Sequence, residues 1–173
     1  MKSLAEQMSI YHQYHTKTIT KMTHFIGVPL VILSIMILLN WVNIGINGWF
    51  FISVSWLAIL ALFIYYCFLD LQLALATAAT LIVLELIAKF LAKTSPNWNS
   101  FGIFVGLFII AWAIQFLGHY FEGKRPALFD NLFQLFVAPI FLVAEIGFML
   151  GKKLKLKQEV ETLANQSNNK TST

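Results

Sequence analysis

The sequence predicts an all-α integral membrane helical bundle, with four transmembrane helices and a re-entrant or interfacial fifth helical segment. Three observations indicate this class. Of the 173 residues, 58% are hydrophobic and only 12% are charged, whereas soluble domains are about half apolar and one-quarter charged. The mean hydropathy is +0.73, and the apolar residues gather in long runs. The one cysteine, Cys67, excludes a scaffold of disulfides within the chain.

The four predicted spans follow from the length of these runs, because a helix that crosses a bilayer needs about 20 mostly apolar residues. The residues before the first run are polar or amphipathic, and no short apolar region with a cleavage site precedes it, which does not fit a signal peptide. The predicted spans are Phe25–Trp41, Trp49–Leu69, Leu71–Leu91 and Phe101–Leu117.

A fifth apolar stretch, Ala127–Leu150, is predicted to return to the side from which it enters. Polar residues interrupt its start and its end, and a proline lies in its middle. These residues are Asp130, Asn131, Gln134, Pro139 and Glu145. The uninterrupted apolar part, Leu135–Ala144, is too short to cross a bilayer as a helix.

Residues 1–151 are predicted to form a single membrane-embedded catalytic domain, and residues 152–173 a tail. The tail is rich in lysine at first and polar afterwards, with no aromatic residue. This composition predicts a segment at the membrane surface that becomes disordered.

The cations indicate the orientation. Four crossings and a returning fifth segment put ten of the twelve cations on one side, which the positive-inside rule makes cytoplasmic together with both termini. Because the lysines flank apolar runs, they are expected to anchor the chain to lipid and not to bind nucleic acid. The expected location is the inner membrane of a bacterium or the endoplasmic reticulum of a eukaryote.

All four histidines fall on this inner side of the predicted topology. His12, His15 and His24 precede the first span, and His119 ends the fourth. An interfacial histidine is unremarkable by itself, because its ring is amphipathic. Four at one membrane face indicate a site.

The spacing of the histidines is compatible with a metal ion. His15 and His24 are nine residues apart, about 13 Å and half a turn out of phase on one straight helix. One ion can bind both only if the helix breaks. The weak helix formers around Thr16 and Thr18 favour such a break, and either threonine could cap a new helix. His12 with His15 is an alternative pair. His119 and Glu122 have the i, i+3 spacing of carboxylate-bridged sites.

Two strings carry a resemblance to a known family: YHQYHTKTITKMTHFIGVPL, and later QFLGHYFEGKRPALFDNLFQLFVAPIFLVAE. Over about residues 8–150 the chain resembles the 2-hydroxy fatty acid dioxygenase family, small integral membrane proteins of fatty-acid α-oxidation. The matching positions include Tyr11 and Asp70. Within the two strings they are His15, His24, Gly27, Pro29, Gly118, His119, Glu122, Arg125, Pro126 and Ala127.

The resemblance implies an Fe(II)-dependent enzyme that converts a 2-hydroxy fatty acid and O2 to the acid one carbon shorter. Three neutral imidazoles, those of His15, His24 and His119, would hold Fe(2+) and leave positions for the substrate and O2. His12 matches no usual family histidine. Thr20 stands where the family usually carries asparagine, which weakens any part of this side chain in orienting His24.

The same resemblance suggests roles for the residues around the metal. Glu122 is either a fourth ligand or a partner that orients a ligating imidazole, and Arg125 and Lys124 would clamp the substrate carboxylate. Simple anchoring is the alternative for these two cations. Tyr11 is expected to line the substrate site. Asp70 also matches the family, but its position between two spans favours a cap of the turn over a role in the site. Expected partners are the hydroxy acid, O2 and membrane lipid, and the oligomeric state stays open.

A non-enzymatic protein is the competing hypothesis. In it a small helical membrane protein binds lipid or a partner subunit, and the histidines respond to pH at its surface. Iron content after purification in detergent separates the two hypotheses.

Overall fold

A computed structural model of the chain describes residues 2–45, 51–93, 96–126 and 133–171. Its described residues are mostly helical, with one antiparallel hairpin of two three-residue strands in register Asn43 to Ser53. The all-α class is therefore confirmed. The helices are α1 Leu4–Tyr14, α2 Thr18–Leu39, α3 Val54–Cys67, α4 Leu71–Ala92, α5 Trp98–Glu122, α6 Gln134–Met149 and α7 Leu154–Thr171, and the strands are β1 Asn43–Gly45 and β2 Phe51–Ser53.

Three of the described helices, α2, α4 and α5, are long and apolar enough to cross a membrane. A fourth crossing results if α6 and α7, which are bent by 115°, count as one broken span. The predicted set of four spans plus a fifth segment is therefore confirmed only as three to four candidate spans.

The second predicted span, Trp49–Leu69, is the one that differs. Its helix α3 has 14 residues, about 21 Å, against about 30 Å of hydrocarbon. Phe51–Ser53 pairs with β1 instead of extending the helix, and an apolar run has the same hydropathy in either conformation. Trp49 lies outside the described residues, as do Asp130 and Asn131 before α6.

Helices α2 and α5 run antiparallel in close contact because glycines face the partner helix. A Cβ atom on Gly27 would lie 2.5 Å from Gln115 Cγ, and one on Gly118 would lie 2.0 Å from Thr23 Oγ1. Neither position has room for a side chain. This contact brings the first turns of α2, which carry His24, against the last turns of α5, which carry His119.

The tail forms helix α7, which packs against α1, and this corrects the expected disorder. Val160 and Ala164 are buried, and they recur at a spacing of four, as on one face of a helix. On α1, Leu4, Ala5 and Met8 are buried. The expectation of disorder was wrong because the apolar residues of the tail form one narrow stripe among polar ones. The average composition of the tail does not reveal this stripe. The division of the chain at residue 151 stays a prediction.

Asp70 caps α4, as predicted, by accepting a hydrogen bond from the Leu73 amide at 3.0 Å. Its other oxygen pairs with Lys153 Nζ at 2.6 Å, which fastens the start of α7 to the turn between α3 and α4. Burial alone would raise the pKa of Asp70, but the hydrogen bonds from Lys153 and Leu73 outweigh it and hold the pKa below its ordinary value.

Candidate metal centre

The predicted break between His15 and His24 is present. Helix α1 ends at Tyr14, His15 is its C-cap, and α2 begins at Thr18. Threonine caps were expected, yet the N-cap of α2 is Lys17, which makes no capping hydrogen bond through its side chain. The chain therefore reverses between the two histidines, and their rings meet.

His15, His24 and His119 form the histidine cluster. The three rings contact one another with centroids 4.3, 5.0 and 4.9 Å apart, and one nitrogen from each lies within 4.8 Å of the other two. All three side chains are buried. Among the described residues this is the group of at least three potential ligands that is close enough to hold one ion.

The hydrogen bonds of two rings leave free lone pairs that face each other. His15 Nδ1 lies 2.8 Å from the Tyr11 carbonyl and His24 Nδ1 lies 2.9 Å from the Thr20 carbonyl. Since a carbonyl only accepts, the network assigns the proton to Nδ1 in both rings. The two Nε2 atoms then both carry lone pairs, 3.1 Å apart.

This arrangement fits a shared metal ion. Bonds of about 2.1 Å at right angles separate two imidazole nitrogens on one ion by about 3 Å. The two lone pairs repel each other, whereas a cation placed between them would be bound by both. His119 Nδ1 is buried without a hydrogen-bond partner in the described part of the chain, a cost that coordination would also relieve.

The surroundings keep His15 in the form that binds metals. Burial, and then the neighbouring imidazole of His24, lower the pKa of His15 to about 2. The ring is therefore neutral at physiological pH. Tyr11 stacks on it with centroids 3.8 Å apart and planes inclined by 13°. Burial also raises the pKa of the Tyr11 phenol, so that Tyr11 is a neutral neighbour.

Glu122 holds the reversal between α1 and α2. One carboxylate oxygen accepts from the amide of Thr16 at 3.0 Å and from its hydroxyl, and the other accepts from the Lys17 amide at 3.0 Å and the Thr20 hydroxyl at 2.6 Å. A carboxylate at the start of α2 also complements the helix dipole. Glu122 thus supplies the cap that Lys17 lacks, and it does so from the end of α5.

Thr20, at the position where the resemblance leads one to expect asparagine, contacts both His24 and Glu122. Its backbone carbonyl orients His24, and this contact does not depend on the side chain. Its hydroxyl lies within hydrogen-bond distance of Glu122 and of the Gly118 carbonyl at 3.1 Å. A hydroxyl has one proton to share between them, whereas an asparagine amide has two.

A cavity of about 190 Å³ opens from the histidine cluster into the bundle. Its wall is mostly aliphatic and comes from α2, α3, α4, α5 and α6. The cluster, Tyr11 and Gln115 supply polar groups at one end, and Ser55 and Gln134 are further polar residues of the lining. The cavity can therefore take an apolar chain with its polar end beside the histidines.

The chain is similar to proteins of a known family. A family model described as "2-hydroxy-palmitic acid dioxygenase Mpo1-like" matches residues 1–150. The chain belongs to this family. It is 36% identical over 162 residues to the 2-hydroxy-palmitic acid dioxygenase MPO1 of Saccharomyces cerevisiae. The aligned region covers 91% of this chain and 87% of the yeast protein. No solved structure matches the chain.

The two cations that the resemblance suggested for substrate binding follow α5, and the backbone of Lys124 hydrogen-bonds His119. Lys124 is exposed and donates to the Gln13 carbonyl at 2.7 Å, and Arg125 is also exposed. Neither belongs to the described lining of the cavity. Their roles in this member of the Mpo1-like family stay predictions.

His12 lies outside the histidine cluster, in a second cavity between α2, α6 and α7. Lys21 and Glu145 form an ion pair there at 3.0 Å. Burial and then the charge of Lys21 lower the pKa of His12. The structure thus separates His12 from the three histidines that the family resemblance named.

Gln115 is a residue of the site that our reading of the sequence missed. It lies one helical turn before His119, is 9% exposed and lines the cavity. A signal existed, because a polar residue four positions from a histidine in an apolar span shares its face. The partners of Glu122 had no such signal, since Thr16 and Thr20 are more than 100 residues away in the chain.

Proposed function

We propose that this chain is an Fe(II)-dependent dioxygenase that converts a 2-hydroxy fatty acid and O2 to the fatty acid one carbon shorter. The observation that carries the proposal is the buried histidine cluster at the polar end of an aliphatic cavity. An amphiphilic acid fits this arrangement, with its oxygens at the cluster and its chain among the helices. Membership of the Mpo1-like family and the name of the yeast relative support it.

The reaction balances without an added reductant. Cleavage of the bond between C1 and C2 gives the shorter acid, CO2 and water. The hydroxy acid loses four electrons, and these reduce one O2. No binding site for a reducing cofactor is therefore needed.

The chain's own residues would hold the metal and the substrate. The histidine cluster would bind Fe(2+) through neutral imidazoles, two of which are oriented by backbone carbonyls. Bound iron supplies the redox chemistry and positions open to the hydroxy acid and O2. The burial of the cluster excludes bulk water, and Tyr11, stacked on His15, would fix the position of that ring.

Glu122 and the two cations complete the proposal. Glu122 would act by positioning His15 and His24 through the chain reversal. Lys124 and Arg125, which are both exposed, would attract the carboxylate before it reaches the cluster. Arg125→Ala should then raise KM more than it lowers kcat, and Arg125→Lys should be milder because it keeps the charge.

The test is single turnover after anaerobic loading with iron. Purified protein receives Fe(2+), then 2-hydroxypalmitate, then O2, and mass spectrometry identifies the products. We expect the fifteen-carbon acid, with no product from palmitate, because palmitate lacks the hydroxyl that completes chelation. Equal shortening of both acids would contradict chelation. No product despite bound iron would contradict the proposed activity.

The orientation of the chain is part of the same proposal. Both termini would lie in the cytoplasm, so that the site takes its substrate from the inner side of the membrane. A reporter fused after Lys152 should give a cytoplasmic signal. A signal from the opposite side would refute this orientation.

A further inference from the structure

The cavity follows one face of helix α2 for most of that helix. The lining positions of α2 recur at spacings of three and four, as one helical face requires. They are Val28, Val31, Ile32, Ile35, Met36 and Leu39. From His24 to Leu39 is fifteen residues, about 22 Å along the helix axis.

At its far end the cavity meets a buried polar group of three side chains. Ser55 lines the cavity, and its hydroxyl donates to Glu85. The same carboxylate oxygen accepts from Asn40 Nδ2 at 3.1 Å. Ser55 and Glu85 are fully buried, and Asn40 is 9% exposed. The group joins α2, α3 and α4 beyond Leu39.

This polar group makes a firm floor. To extend past Leu39, an apolar chain would have to separate Ser55 or Asn40 from the Glu85 carboxyl. Its second oxygen, Oε1, already has no hydrogen-bond partner in the described part of the chain. Further loss of partners in a buried site is costly, so the chain should stop at this level.

We propose that the cavity along α2 limits the length of the acyl chain. The floor that sets the upper length lies at Leu39, Ser55 and Leu81, which all line the cavity. An extended chain of single bonds advances about 1.2 Å per bond, so about 22 Å accommodates roughly 18 carbons. This inference rests on the proposed function for the place of the carboxylate, beside the histidine cluster.

Binding of a homologous series tests the length limit without turnover. Iron-loaded protein is titrated anaerobically in nanodiscs with saturated 2-hydroxy acids of twelve to twenty-four carbons. Affinity for the free aqueous acid, corrected for the partition of each acid into protein-free nanodiscs, should rise about fourfold per added methylene while each is buried, and stop rising near 18 carbons. A steady rise through the longest acids would overturn the proposal, because the chain would then leave the cavity sideways into lipid.

Variants on α2 should move this limit. Ile35 lines the cavity four residues before Leu39, about 6 Å above the floor. Ile35→Phe should shorten the limit by about five carbons. Leu38→Phe is the matched control, since Leu38 is half-buried on the same helix and outside the described lining. Partition into lipid is the same for each variant, so affinity ratios at each chain length report the protein alone.

Leu39→Ala provides the opposite test and removes little packing, because Leu39 is only half-buried. It should extend the limit by one or two carbons. An equal change in affinity at all chain lengths, in both variants, would overturn the proposal even if Ile35→Phe folds poorly.

The two proposals fail in different ways. Suppose that the length limit changes in these variants but that the protein turns over no acid. The proposal that the cavity along α2 limits chain length would then stand, and the proposed dioxygenase activity would be refuted. Turnover without any length limit would do the reverse.

Discussion

Replacement of Glu122 by glutamine should destabilise the protein before any metal is bound. The substitution turns one of two accepting oxygens into an NH2 group, which cannot accept. Each oxygen serves one backbone amide and one hydroxyl, so two donors in the reversal lose their acceptor. At about 1.5 kcal/mol for each hydrogen bond to a charged group, the free energy of unfolding should fall by about 3 kcal/mol.

Thermal unfolding of the metal-free protein in detergent measures this effect. For a chain of this size, about 3 kcal/mol corresponds to a decrease in Tm of roughly 6–12 °C. Amide hydrogen exchange at Thr16 and Lys17 should accelerate as well. The control is Glu161→Gln, because Glu161 is half-exposed and its ion pair in the described part of the chain is a long one, 3.9 Å to Lys157.

A ligand role for Glu122 gives a different result. If the carboxylate binds the metal, the metal-free Glu122→Gln protein should unfold at the same temperature as the unchanged protein. Its Tm should be lower than that of the unchanged protein only after both are loaded with iron. That outcome would refute our assignment of Glu122 to positioning.

Alanine at any one residue of the histidine cluster should lower bound iron by at least tenfold in elemental analysis, while His12→Ala should retain its iron. Equal loss in all four variants would contradict the assignment of the cluster as the metal site. Val160→Asp should detach α7 and raise hydrogen exchange in α1, while the exposed Thr162→Asp should not; unchanged exchange would refute the packing. Because its folded pKa is lowered, Asp70 stabilises the protein above about pH 4, and this contribution is lost as pH falls through the folded pKa. Asp70→Asn keeps the cap but should remove this pH dependence of Tm; an unaltered pH profile would show that the pair with Lys153 contributes nothing.

The sequence predicted the long apolar helices and the side of the bundle where the histidines gather. Hydropathy identifies α2, α4 and α5 because each is apolar over about 20 residues, a pattern that strands do not produce. It overestimated the helix around α3, since strand pairing at Phe51–Ser53 depends on Asn43–Gly45, and composition does not contain that pairing.

The members of the histidine cluster could be named from the family resemblance, but their contacts could not. The break near Thr16 was predictable from weak helix propensity. The group that stabilises the break was not, because Glu122 reaches it from α5 across more than 100 residues of chain. The packing of α7 on α1 was missed for a similar reason, since its partners lie at the other end of the chain.

Two parts of the fold carry the histidine cluster, and they are held in different ways. His24 and His119 sit on helices that meet at Gly27 and Gly118 without room for a Cβ atom, so their spacing is fixed. His15 lies at the end of the short helix α1, which is held by side-chain contacts instead: those of Glu122, of α7, of Phe141 with Tyr11 and of Tyr65 with Gln7. Release of an ion should therefore begin with undocking of α1, and the exchange rate of the metal should follow the opening of this small helix more than the strength of the bonds to α2 and α5.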